Sequence, residues 1–172
     1  MEPLAALHRE LGIPDDYAAT RGWPLQPEAD EAELVLIGED VFGREQRLIQ
    51  PAAEAWRALR EAAAADAVTL QPVSAFRSIA YQAEVIRRKL AAGRNIEALL
   101  QVNAAPGYSE HHTGRALDIA TPGATPLDET FETTPAFDWL ARHAARYGFH
   151  LSYPRDNPLK MTYEPWHWAW RA

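Results

Sequence analysis

Apolar and polar positions recur along this chain with two periods, one helical and one strand-like. Near the N-terminus Leu4, Leu7, Leu11 and Ile13 fall at near-helical spacing, which predicts a short helix over 3–12. "ELVLIG" (33–38) is an apolar run of strand length. "RLIQPAAEAWRALREAAAADA" (47–67) is rich in Ala, Leu, Arg and Glu, and predicts a helix with Pro51 in its first turn. "VTLQPVSAF" (68–76) reads as a strand running into a loop. The next run, 78–93, reads as a helix capped by Ser78 and stopped by Gly93. A shorter helix is expected near 95–103, a loop over 103–114, a short strand at "RALDIA" (115–120), and a turn-rich connection over 121–135. Residues 135–149 form an amphipathic pattern with Gly148 as its stop, and 149–153 and 166–171 read as closing strands.

Helices lead and strands gather towards the end. The expected fold is therefore α+β, with a small, mainly antiparallel sheet flanked by helices. Residues 1–172 suit one domain. Within it, 1–67 reads as a helical N-terminal part without a placeable motif, and 68–172 carries the candidate chemistry.

Composition narrows the function. The net charge of −7 argues against a broad basic face for nucleic acid, though a local basic pocket is compatible with it. With no cysteine, disulfides and thiolate zinc sites are excluded, and any metal falls to His, Asp or Glu. No stretch approaches the roughly 18 apolar residues of a membrane span. The N-terminus "MEPLAALHRELGIPDDY" is acidic and has no apolar run of signal-peptide length. The expectation is a chain that is cytoplasmic as written, or periplasmic or extracellular if a leader is removed or a holin releases it.

Two stretches hold the residues that could bind a metal. "YSEHHTGRALDIA" (108–120) places His111 in a loop, Gly114 at a bend, and Asp118 on a strand between small Ala116 and Ala120. "YEPWHWAW" (163–170) places Glu164 three residues before His167, with Pro165 holding Glu164 extended. Two histidines and a carboxylate form a three-ligand site with an open position, and a further carboxylate that is not a ligand can move protons beside it. Spacing alone leaves the ordinary roles open: a core-edge histidine, a turn aspartate, a solvated glutamate, and core tryptophans at 166, 168 and 170. It also leaves open the two-histidine, one-carboxylate triad of non-haem iron oxygenases. His8, His143 and His150 read as ordinary residues, and His112 as a supporting or surface residue.

Together these residues resemble a named pattern. "SEHHTGRALD" matches Ser-x-His-x-x-Gly-x-Ala-x-Asp, "EPWH" matches Glu-x-x-His, and "SAFRSIAYQ" is similar to Ser-Gly-Tyr-Arg-Ser-x-x-x-Gln. The set resembles the VanY-type D-alanyl-D-alanine carboxypeptidases, zinc peptidases related to lysostaphin and the hedgehog domain. Ala75 and Phe76 depart from the usual glycine and tyrosine. The resemblance implies one zinc ion held by His111, Asp118 and His167, with Glu164 as general base and then acid. It further implies that Arg77 binds the substrate's carbonyl or terminal carboxylate, aided by Gln82 and Ser109. A pocket closed by Tyr108, Trp166 or Trp168 would suit such a site. The expected reaction is hydrolysis before a C-terminal D-alanine of a peptidoglycan stem peptide. The alternatives are L,D-carboxypeptidase, D-Ala-D-Ala dipeptidase or endopeptidase action at the same site, and, more remotely, a non-catalytic zinc-binding wall module.

Overall fold

Strand alternation decides which face of the sheet carries chemistry. The structure, a computed structural model, describes residues 2–172. Four strands, β3 (Gln71–Ser74), β4 (Ala116–Ala120), β5 (Phe149–Leu151) and β6 (His167–Trp170), form an antiparallel sheet in the order β3-β4-β6-β5. On β4, Leu117 and Ile119 point into the main core, as does Trp168 on β6. Asp118 and His167 alternate with them and so occupy the opposite face. The register places Asp118 directly across from His167. The sequence expectation of an α+β fold with a small antiparallel sheet holds.

The main core is closed by α3 (Gln50–Ala65), through Ala52, Ala53, Trp56, Leu59 and Ala63, and by α6 (Pro135–His143), through Trp139 and Leu140. Pro51 lies in the first turn of α3, where a missing N–H costs nothing. A second apolar cluster joins α1 (Glu2–Leu11), α2 (Tyr17–Arg21), α4 (Ile79–Ala91) and α5 (Ile96–Val102), and includes Ile86, Leu99, Tyr153 and Met161.

The N-terminal third differs from the helical expectation. Residues 34–49 form a hairpin of β1 (Leu34–Glu39) and β2 (Glu45–Ile49), so the helix expected from 47 starts at Gln50. Its turn is built by buried Asp40, whose carboxylate accepts the N–H groups of Phe42 and Arg44 and the Arg44 guanidinium. The acid and its partners are adjacent in "EDVFGRE", but the strand after the turn runs straight into a helix-rich sequence and is masked by it. At the other end, the helical pattern of 135–149 stops at His143, and a 3₁₀ turn, Ala144–Tyr147, completes the run to Gly148.

Candidate active site

His111 comes from a one-turn 3₁₀ segment, Glu110–Thr113. Ser109 caps this turn by accepting the His111 N–H at 3.3 Å, and Gly114 ends it at φ +64. The imidazole Nδ1 of His111 donates to the Ala75 carbonyl at 2.6 Å, since a carbonyl can only accept. Its Nε2 therefore faces Asp118 Oδ2, 3.3 Å away. His167 is turned the other way: Nδ1 faces Asp118 Oδ1 at 3.0 Å, and Nε2 bonds the Glu110 carboxylate at 2.9 Å. One donor atom from each of His111, Asp118 and His167 lies within 4.8 Å of the others, and all three side chains are buried.

The donor set fits zinc. Two imidazole nitrogens and one carboxylate oxygen are ligands of the borderline type zinc accepts, and three of them leave a position open. Both rings have their outward nitrogen tied to an oxygen, the arrangement that orients histidines for a metal. In the metal-free protein the negative carboxylate between the rings is balanced by a proton. Burial opposes the charge on His167, but the hydrogen bonds it donates to Asp118 and Glu110 outweigh it and raise the group to about 10. His111 goes the other way, to about 4, through burial and the nearby Arg77 charge. Burial works against ionised Asp118 too, yet the two histidines hold its carboxyl below the usual range.

Glu164 stands beside this set without joining it. Its Oε2 lies 3.9 Å from His167 Nδ1, and its backbone N–H bonds the Tyr153 carbonyl at 3.1 Å. Burial raises its carboxyl to about 7, with the charges of Asp118 and Glu110 adding to the effect and those of His167 and Arg77 opposing it. A carboxylate that holds a proton near neutral pH is suited to proton transfer.

These groups open on a cleft of about 280 Å³, lined also by Arg77, Lys89, Ser109, Tyr153 and Trp166. Arg77 sits just ahead of α4, which Ser78 caps by accepting the Tyr81 N–H. Its backbone is fixed at both ends: its N–H bonds the His111 carbonyl, and its carbonyl accepts His112 Nδ1 at 2.6 Å. His112 Nε2 in turn accepts the Gly107 N–H, so this fully buried histidine is neutral and ties two loops together. The Arg77 side chain makes no ion pair among the described residues, and its buried Nε has no partner. Beyond Arg77 and Asp118 the cleft continues as a groove of about 560 Å³, with exposed Phe42, Tyr81 and Leu127 on its walls.

Other expected site residues fall elsewhere. Gln82 is buried beneath the cleft wall, where its Nε2 donates to the Ala104 carbonyl at 2.8 Å. Of the three aromatic residues expected to close the pocket, Trp166 lines it. Tyr108 packs against Tyr17 and His8, and Trp168 is core. His8 bonds the Pro106 carbonyl, and His143 packs on Trp139.

Among the titratable residues at the site, Glu110, Tyr153 and Lys89 have no counterpart in the sequence expectations. The Tyr153 ring lies 4.7 Å from that of His167, and burial, with three nearby carboxylates, holds its hydroxyl protonated. Glu110 is adjacent to His111 in the motif, which is the one available signal. Its partner is 57 residues away.

The hairpin supports the same centre. Gln46 Oε1 accepts the Ala75 N–H, the Arg47 carbonyl accepts the Phe76 N–H, and Ala75 then holds His111. The part of the chain without motifs thus braces a candidate ligand through two hydrogen bonds in series.

The chain is similar to known proteins over most of its length. YodJ of Bacillus subtilis strain 168, named as an inferred carboxypeptidase, is 34% identical over 172 residues, covering 95% of this chain and 58% of YodJ. This chain therefore spans somewhat over half of that relative. The LdcB LD-carboxypeptidase structure superposes with a TM-score of 0.73 at 31% identity, over 83% of this chain and 69% of that one. A vancomycin resistance D,D-pentapeptidase VanY, solved with Zn(II), superposes with a TM-score of 0.63 at 26% identity, over 84% and 83%. The family model described as "D-alanyl-D-alanine carboxypeptidase" matches residues 45–172, a span that starts at β2 and takes in the hairpin strand, the cleft and every candidate ligand, and the chain belongs to this VanY family.

Proposed function

We propose that this protein is a zinc-dependent carboxypeptidase that removes a C-terminal D-alanine from peptidoglycan stem peptides. The observation that carries the reading is the pairing of a buried His111–Asp118–His167 donor set with Glu164, a buried carboxyl beside it that titrates near neutral pH. A zinc ion held by those three side chains supplies an acidified water and a Lewis acid for the scissile carbonyl.

The chain's own residues do the rest. Glu164 takes a proton from the attacking water as its oxygen bonds the carbonyl carbon. The same carboxyl returns the proton to the amide nitrogen as the carbon–nitrogen bond breaks, releasing D-alanine as an amine. Arg77, a fixed cation with an unpartnered Nε, stabilises the negative oxygen that develops at the carbonyl. Ser109 lines the cleft and holds the His111 turn, while Gln82 acts from beneath, by keeping the Ala104 wall in place. The retained peptide extends into the groove beyond Arg77. Both the LD-carboxypeptidase and the D,D-pentapeptidase neighbours share this fold, so the fold alone does not select the bond.

The test is to incubate the zinc-loaded protein with a stem pentapeptide ending in D-Ala-D-Ala and to weigh the products. Loss of one alanine is expected, and Glu164→Ala should retain zinc while losing turnover by several orders of magnitude. Turnover of a tetrapeptide in place of the pentapeptide would assign the L,D bond. Loss of a dipeptide, or cleavage of a substrate with a blocked C-terminus, would overturn the carboxypeptidase reading.

A further inference from the structure

The cleft contains a second cation that the reaction just described does not use. Lys89 lies in the last turn of α4 and is half-buried, facing the same cavity as Arg77 and Ser109. A lysine at a helix C-terminus ordinarily extends into water, where its charge favours the helix dipole at little cost. Lys89 instead donates to Asn103 Oδ1 at 3.0 Å. That oxygen is fixed in place, because the Asn103 amide nitrogen is committed to the Leu99 carbonyl at 2.9 Å. Lys89 makes no ion pair with any acid among the described residues.

The surroundings are unfavourable for an isolated ammonium. Burial, then the charges of Arg77 and Arg94, pull the Lys89 group below its ordinary value. Two cations without acidic partners therefore share one cleft in a protein of net charge −7. The acids in that cleft, Asp118 and Glu164, belong to the donor set and the proton-transfer position. An anionic ligand would relieve the repulsion, and a peptide's free C-terminal carboxylate is the anion that a carboxypeptidase must recognise. Arg77 and Lys89 line the same cleft as His111 and Glu164, and the charge of Arg77 is felt by all three of these neighbours. One residue of substrate separates the scissile carbonyl from the terminal carboxylate, so the two cations can divide the two groups between them.

We propose that Lys89, held by Asn103, forms the subsite for the substrate's terminal carboxylate, leaving Arg77 to the scissile carbonyl. The assignment rests on the carboxypeptidase reading above and names the residue that makes the cleft selective for a free chain end.

Binding without turnover tests it. On a zinc-loaded Glu164→Ala background, calorimetry compares an acyl-D-Ala-D-Ala ligand with its C-terminal amide. The parent should prefer the free acid. Lys89→Met should weaken the acid by about tenfold or more, the scale of a charge-assisted hydrogen bond, and leave the amide unchanged. Lys89→Arg should restore most of the preference, and zinc content should match the parent in both variants. Equal weakening of acid and amide, or an unchanged preference in Lys89→Met, would overturn the assignment, as would a parent that binds both ligands alike. A parent that prefers the acid through Lys89, in a protein whose Glu164 form cleaves no stem peptide, would uphold the subsite and reject the reaction.

Discussion

At the scale of single residues, the orientation of His167 decides whether the proposed metal site can form. The ring could present either nitrogen to Asp118, and Glu110 selects Nδ1 by taking Nε2. Burial of the Glu110 carboxyl would raise it, but the His167 hydrogen bond and charge prevail and hold it down at about 2, so it is fully ionised at neutral pH. An ionised acceptor behind a histidine ligand makes that ligand more basic and fixes its rotation. Glu110→Gln keeps the shape and an acceptor oxygen but removes the charge. Zinc affinity, measured by competition with a chromophoric chelator, should fall about 10- to 100-fold, with the circular dichroism of the zinc-free fold unchanged. An unaltered affinity would mean that the contact with Tyr153 and the bond to Asp118 orient the ring without Glu110.

At the scale of elements, the site depends on a 3₁₀ turn ended by one glycine. Gly114 adopts φ +64, and a Cβ there would meet Ile49 Cγ2 and Leu34 Cδ2 at 3.0 Å and the Ile49 backbone nitrogen at 3.2 Å. Those neighbours belong to the hairpin, and the Ile49 N–H bonds the Gly114 carbonyl. Gly114→Ala should therefore cost roughly 2–4 kcal/mol, from left-handed strain plus crowding. Gly123→Ala meets nothing within 4 Å at φ +85 and should cost about 1–2 kcal/mol, from strain alone. Urea denaturation of the two variants separates these contributions, and equal losses would show that the hairpin yields to the extra methyl group. This dependence on the hairpin also explains what was legible in the chain. His111, Asp118, Glu164 and His167 stand at fixed spacings on short local elements, so their pattern survives in the sequence; alternation sets the faces of Asp118 and His167, and the pairing of β4 with β6 in this register brings them together. The bracing by Gln46 and Arg47 is not legible, because it acts through backbone atoms of Ala75 and Phe76, which any residue there would offer. Glu110, His112 and Lys89 are read from their partners, and those partners are distant in sequence or contribute only carbonyl groups.

At the scale of the whole molecule, the donor set makes the metal-free fold sensitive to pH, and zinc should remove that sensitivity. His167 is held charged up to about 10, against 6.5 for an ordinary histidine, so the stability it contributes is complete below about pH 6.5 and is lost as pH rises towards 10. Glu164, raised from 4.5 to about 7, acts in the same sense, its share present below 4.5 and gone above 7. His111 and Glu110 are shifted down, to about 4 and about 2, and their contributions are lost instead as pH falls through those values. On the alkaline side, then, nothing in the donor set offsets the loss from His167. A metal ligand nitrogen carries no proton, so zinc binding displaces the His167 proton and strengthens as pH rises over the same range. The melting temperature of the metal-free protein should decline from about pH 6.5 towards 10, while that of the zinc-loaded protein stays nearly level, and the gap between them should widen. In Glu110→Gln the metal-free decline should begin at the same pH but level off sooner and be smaller in total, because one of the two carboxylates that hold the proton has lost its charge. Parallel curves for the two forms would mean that His167 is already neutral without metal, and that Asp118 meets the imidazole as a hydrogen-bond partner and not as its counter-ion.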